Sequence, residues 1–418
     1  MNSEPETTEP ETTAARQSTQ PAEPTTPTGP VNLDCAATQA VRPEVLSAIW
    51  PLLSEQFGNP ASHHEAGEQA ARALDWARSL AAETLGTRPG RIVFTSGGTE
   101  SNSLALHGTL LARRRGGHVL VSALEHPSVL QTAQQLQRWH GATIETVPVG
   151  MNGIVDPAQV AALLRPDTCL VAVMAVNNEV GTIQPIQEIA ELVHGAGARL
   201  HVDAVQAGSW LDLRPLARVA DTLSVSGHKL GGIKGAGLLA LGRGVVLEPF
   251  MDGGGQEDGI RSGTVNVPGC VSTALALHLA QQEALAYQAG EELPCGREPG
   301  RRLAQAVLTG LGDLGVAARL SGDPESRVPG TVSFVFPGLH AEAVLLELGR
   351  HGVLASSGSA CAAGSTEPSA VLTALGWDPV EALGALRLSF SPHTPAAVLD
   401  YAARAVIESV AAVADLGR

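Results

Sequence analysis

The chain has 418 residues and a mass of 43.0 kDa, enough to bury a sizeable core in two or three domains. Apolar residues make up 44% and charged residues 17%, a globular rather than a disordered balance. The net charge of −15 and a pI near 5.3 argue against a general nucleic-acid binder, which needs a basic face, and no apolar run is long enough to span a bilayer.

Residues 1–30 are rich in Glu, Thr and Pro and show no apolar periodicity. Such a segment does not offset its ordering entropy, so a disordered tail is expected. The N-terminus also lacks the basic start and apolar stretch of a secretory signal. From Val31 onward, short apolar runs alternate with amphipathic stretches. Residues 91–95 (RIVFT), 118–122 (HVLVS), 169–176 (CLVAVMAV), 200–202 (LHV) and 238–241 (LLAL) read as buried strands. Residues 65–85, 128–140, 157–164 and 186–195 read as helices between them. This alternation predicts an α/β fold with a mostly parallel sheet. After about residue 285 the pattern changes to helix 301–314, strand 330–336 and helices 341–349 and 396–412, a smaller α+β unit. The expected division is a large domain over 45–285 and a small one from 31–44 with 286–418.

Ligands in such folds sit beyond the carboxyl ends of strands, and polar clusters follow the strands here. Ser96-Gly97-Gly98-Thr99-Glu100-Ser101-Asn102 joins a strand to a helix. It reads either as an ordinary capped glycine turn or as a cup for a small phosphate at a helix N-terminus. It matches neither GxGxxG nor GxxxxGK[ST], so no dinucleotide or nucleoside triphosphate is indicated. Ser226-Gly227-His228-Lys229 places a lysine in a nearly uncharged, glycine-rich stretch, where an amine can form a Schiff base with a carbonyl cofactor. Asp203 ends the preceding strand and suits a pyridinium nitrogen. Asn178 and Gln206 could hydrogen-bond a phenolic oxygen.

Taken together, SGGTESN, EHPSV around His126, VNNEVG at 176–181, HVDAVQ at 201–206, SGHKLGGIKGAG at 226–237, GGGQEDGIRSGT at 253–264 and SSGSAC at 356–361 resemble the class V aminotransferases. Within that group the resemblance is to the cysteine desulfurases, and it runs from Leu33-Asp34 to about Arg387. It implies the fold type I of pyridoxal-phosphate (PLP)-dependent transferases, pyridoxal 5'-phosphate as cofactor, and conversion of L-cysteine to L-alanine. It further implies that Lys229 holds the cofactor, Asp203 holds its ring nitrogen protonated, and Asn178 and Gln206 contact its ring-oxygen side. His126 would stack on the ring and transfer protons. Gly98, Thr99, Ser226 and His228 would bind the phosphate. Thr264 would reach the phosphate of a neighbouring subunit in a homodimer. Arg387, with Asn178 nearby, would bind the substrate carboxylate, for which an arginine fork is suited. A selenocysteine lyase or another class V aminotransferase would share these residues.

Cys361 separates a desulfurase from a plain aminotransferase. It lies among small residues in SSGSACAAGS and is expected to accept the sulfur as a persulfide, the thiolate being the reactive form. Cys169 and Cys270 sit in apolar surroundings and read as inert. Cys35, where the family often has a small polar residue, reads as structural, and Cys295 as incidental. Five dispersed cysteines without a CxxC pair indicate neither a disulfide framework nor a zinc site. A reducing cytoplasm fits best, and the partners implied are L-cysteine, a second copy of the chain, and a sulfur acceptor such as an iron–sulfur scaffold or a thiolation factor.

Overall fold

The computed structural model describes residues 29–113, 117–358 and 368–416. Nearly all of the expected tail lies outside them, and so does the 359–367 segment with Cys361. Strand β1 is Val31–Asn32. The next seven strands are β2 Ile92–Thr95, β3 His118–Ser122, β4 Thr143–Val147, β5 Thr168–Ala172, β6 Arg199–Asp203, β7 Thr222–Ser226 and β8 Gly237–Leu241. They form one sheet in the order β2-β8-β7-β6-β5-β3-β4. Four of its pairings are parallel, and the two made by β8 are antiparallel. Since β8 runs against both neighbours, β2 points the same way as β7. The carboxyl ends of β2, β3, β5, β6 and β7 therefore share one edge.

Burial explains which strands are apolar. Strands β3, β5 and β8 are buried at every residue, as expected where helices cover both faces. Strand β4 (TIETV) is the sheet's edge and is largely exposed, so it carries too little apolar signal to be read from sequence. Strand β7 (TLSVS) is fully buried despite three hydroxyls, one of which, Thr222 Oγ1, meets His201 Nδ1 at 2.9 Å. The run 169–176 is not one strand. The strand ends at Ala172, although the Val173 and Ala175 amides still donate to the His201 and Asp203 carbonyls of β6, and the buried chain continues into a turn in which Asn177 Oδ1 accepts from the Glu179 and Val180 amides.

A second, antiparallel sheet has the order β12-β10-β9, with β9 Arg319–Leu320, β10 Thr331–Val335 and, after β11 Val353–Leu354, β12 Ala385–Ser389. Helices Pro299–Asp313, Ala341–Arg350 and Ala396–Leu416 accompany it. Strand β1 pairs in parallel with β11, and Asp34 bridges to Ser389, so residues 31–36 join this unit. Helix Pro43–Ser54 instead packs on Val267–Gln288, which also contacts Glu65–Leu85. One continuous cluster of buried side chains, from Leu120 and Val171 to Phe334 and Leu386, spans both sheets. No helix among the described residues is long and apolar enough to cross a membrane.

The join is also ionic. Arg42 Nη1 and Nη2 grip Glu283 at 2.5 and 2.8 Å, and His393 Nε2 lies 2.8 Å from the same carboxylate. Burial would raise the Glu283 pKa, but these hydrogen bonds outweigh it and hold the carboxyl down at about 2, against an ordinary value of 4.5. A depressed carboxyl stabilises the fold above its unfolded pKa and loses that contribution as pH falls through the folded one. Glu283→Gln should therefore cost up to about 2 kcal/mol at pH 7 after allowance for solvent screening. The gap from wild type in urea unfolding should close between about pH 4.5 and 2.

Candidate active site

At the shared edge, a cavity of about 850 Å3 opens where the strand ends face the second unit. It is lined by Gly98, Thr99, His126, Asn178, Asp203, Gln206, Ser226, His228, Lys229 and Arg387. Of the described candidate residues read from sequence, Thr264 alone is not among its lining. Thr264 is exposed and lines a separate cavity of about 180 Å3, and Cys361 lies outside the described residues.

The sequence builds this edge through close backbone approach. The ends of β2 and β7 flank the start of β8, with Thr95 and Ser226 both opposite Gly237. A Cβ on Gly237 would fall 2.7 Å from both Gly97 Cα and Val225 O, so only glycine fits. Gly97 has φ 148°, a conformation that side chains avoid. A Cβ on Gly98 would lie 2.7 Å from Val205 Cγ2. Helix Gly98–Leu111 begins here, with its first N–H groups and positive dipole end at the cavity. Glu100 accepts from the Ser96 amide and pairs with Arg261 at 2.6 Å, which fixes this first turn.

His228 and Lys229 follow β7 in a single tight turn, Gly227–Lys229. Burial, helped by the Lys229 and Lys234 charges, pushes His228 down to about 4, so it is a neutral imidazole, with Nδ1 3.1 Å from Thr38 Oγ1. Lys229 Nζ donates to the carbonyls of Ala36 and Ala37, and Gln206 Nε2 donates to Ala36 O at 2.9 Å. The 34–39 segment thus forms one wall of the site.

Asp203, 5% exposed, accepts from Asn102 Nδ2 at 2.7 Å and from the Val205 amide at 3.0 Å. Asn102 Oδ1 faces His201 Nε2 at 3.0 Å, and its Nδ2 also reaches Ser128 Oγ at 2.9 Å. Burial drives His201 down to about 4, so it is neutral; the Asp203 carboxylate, which only accepts, takes the Asn102 NH2 and leaves Oδ1 to accept from His201 Nε2. That fixes the amide's orientation, with its NH2 toward Asp203 and Ser128. Ser128 Oγ in turn lies 2.8 Å from His126 Nδ1, which caps helix Pro127–His140 by accepting the Ser128 amide. With Nδ1 an acceptor, neutral His126 carries its proton on Nε2. Burial and the Lys229 charge lower the His126 pKa, and Asp203 opposes them. Glu125, wholly buried beside it, is raised to about 8 by burial and by Asp203. Its Oε1 is held by Ser122 and the Met174 amide.

Sequence reasoning missed Asn102, Ser128, His201 and Glu125, although each lies in or beside a quoted motif. Their signal was the buried-polar rule: a polar side chain in a buried strand, turn or helix start needs a partner.

The sequence matches the class-V aminotransferase family over residues 31–401. A cysteine desulfurase of Trichormus azollae is 40% identical over 370 residues, 88% of this chain and 90% of that protein. A solved NifS-like protein superposes with a TM-score of 0.80 at 33% identity, over 91% of this chain and 98% of the other. A structure described as SspA in complex with cysteine gives 0.73 at 32%, over 87% and 99%. The chain belongs to the class-V aminotransferase family, in its cysteine desulfurase branch. These are PLP-dependent enzymes.

The residues present fit that cofactor. The glycine cradle at Gly97 and Gly98 leaves room beside a helix N-terminus for a phosphate. Asp203 offers a carboxylate, and Lys229 an amine, to the same cavity. Replacing Asn102 by Leu keeps the volume but leaves Asp203 Oδ2 and His201 Nε2 each a partner short. The expected cost is about 2 kcal/mol, read as a lower urea midpoint with an unchanged slope. An unaltered midpoint would show that the amide does not hold these groups.

Proposed function

We propose that this chain converts L-cysteine to L-alanine and takes the sulfur onto Cys361 as a persulfide. The observation that carries the reading is the convergence of Lys229, Asp203, His126 and Arg387 on one cavity, in a chain whose relatives are named cysteine desulfurases. The solved relative in complex with cysteine supports the same substrate.

In this reading Lys229 would anchor pyridoxal 5'-phosphate and Asp203 would pair with its ring nitrogen. Asn178 and Gln206 would serve its ring-oxygen side, and Gly98, Thr99, Ser226 and His228 would hold its phosphate. When bound, the cofactor supplies an electron-withdrawing ring that stabilises negative charge at the substrate's α-carbon. The protein's own groups do the rest. Arg387 binds the carboxylate and orients the amino acid. Lys229 moves the α-proton, and His126, with its proton on Nε2, is placed to donate. Cys361 Sγ, as thiolate, attacks the substrate sulfur, so that an S–S bond forms as the C–S bond breaks. The released electron pair stays with the substrate carbon, which takes up a proton and leaves as alanine.

The finer reading is a cytoplasmic homodimer that passes sulfur to an acceptor protein, such as an iron–sulfur scaffold or a thiolation factor. Leu46, Trp50 and Leu53 form an exposed apolar stripe on helix Pro43–Ser54, with Phe57 just beyond. A patch of that kind marks an association surface, and Thr264, exposed and outside its own chain's large cavity, suits a contact with a partner's phosphate.

With L-cysteine and a reductant, wild type should give sulfide and alanine in equal amounts. Cys361→Ala should lose both by about a hundredfold or more, and Lys229→Ala should lose the visible absorbance of the bound cofactor. Undiminished sulfide from Cys361→Ala would overturn the role given to that thiol. Turnover of selenocysteine alone would favour a lyase.

A further inference from the structure

Arg387 is 1% exposed in β12, and its donors are unevenly engaged. Nη1 donates to Asn178 O at 2.9 Å and Gly358 O at 3.2 Å. Nη2 donates to Asp34 Oδ1 at 2.6 Å. Nε is buried and has no hydrogen-bond partner among the described residues. The N–H bonds of Nε and Nη2 run parallel, and that edge can grip a carboxylate with two bonds. In this structure the edge is half used: Asp34 holds one of its atoms and the other is empty.

We infer that Asp34 is a positioning residue, an internal carboxylate that neutralises Arg387 and gives up the Nε–Nη2 edge to the carboxylate of an incoming amino acid. The inference rests on the reading of Arg387 as the substrate-carboxylate arginine. A buried guanidinium without a counter-charge is costly, so a partner is needed whenever no ligand is present. The two partners are not equally buried. The Asp34 side chain is 27% exposed against 1% for Arg387, so the aspartate is the one that can turn toward water and be rehydrated. Its backbone need not move, since its amide is tied to Asn32 Oδ1 at 2.9 Å and it bridges to Ser389. A ligand carboxylate on the same edge would give Nε the acceptor it lacks and would keep Nη2 paired.

This makes binding a competition. Whatever Arg387 gives an incoming carboxylate is reduced by what it gives up from Asp34, so Asp34 lowers the affinity for amino acids in general. A ligand with no carboxylate has nothing to displace it with. Asp34 would then set a floor under the concentration at which the site fills, and would help the product's carboxylate to leave.

The test is titration calorimetry of the holoenzyme with L-alanine, which has the carboxylate but no sulfur to transfer, and with L-alaninamide, which has no carboxylate. Asp34→Asn removes the hydrogen-bonded counter-charge and keeps the shape, with Glu179, which also feels the Arg387 charge, left in place. L-Alanine should bind the variant about fivefold more tightly than wild type, and alaninamide equally to both. Unchanged or weaker alanine binding by the variant would overturn the inference. If the variant is recovered insoluble, refolding in L-alanine against alaninamide decides. Recovery with alanine alone supports the inference, and failure with both overturns it. Because no turnover is needed, absence of sulfide production by wild type would sink the desulfurase reading separately.

Discussion

Asp203 is a carboxylate at the end of a central strand, 5% exposed, and its surroundings follow from the need to give it donors. Asn102 supplies one and the Val205 amide another. To present its NH2 in that direction, Asn102 needs a donor at its oxygen, and neutral His201 provides it. The same NH2 reaches Ser128, which stands against His126. One buried charge thus dictates the rotamer of an amide, the tautomers of two histidines, and the helix cap from which His126 faces the cavity. Carboxylates in water need none of this.

The two cationic residues of the site are handled differently. Lys229 is met by backbone carbonyls of Ala36 and Ala37, which accept from an amine without adding negative charge. Arg387 is met by a true counter-ion, Asp34. Both partners come from the same short stretch at the start of the described chain, pinned to the second sheet through Ser389 and to the first through Gln206 and Gln39. Residues that look like a lead-in therefore close the cavity from the side opposite the strand ends. The site depends on both units being docked, and the continuous core and the Arg42–Glu283–His393 cluster hold them together.

Much of this was legible in the sequence, for a physical reason. Buried strands such as β3 and β5 are continuous apolar runs, and the polar clusters after them stand out because a parallel sheet gathers its ligand groups at one edge. What escaped was structure whose signal is spread out. Strand β4 lies at an edge and is polar, and β7 is buried although three of its five residues carry hydroxyls. Helix Val267–Gln288 is buried on most of its faces, so it shows no stripe of 3.6-residue period. Likewise, the roles of Asn102 and His201 depend on a contact across 99 positions, and that of Asp34 on one across 353. No local pattern encodes such pairings.

Under the proposed reading, sulfur leaves L-cysteine for one particular thiol of this chain. Among the described residues Cys169, Cys270 and Cys295 are buried, and burial raises the Cys35 thiol to about 11, which leaves these four poor nucleophiles at neutral pH. The most direct measurement is peptide mass spectrometry after a single turnover with L-cysteine labelled at sulfur, without reductant and with free thiols blocked. One labelled sulfur is expected on the peptide containing Cys361 and none on those containing Cys35, Cys169, Cys270 or Cys295. Label on any of those four, or alanine formed with no labelled peptide, would contradict it.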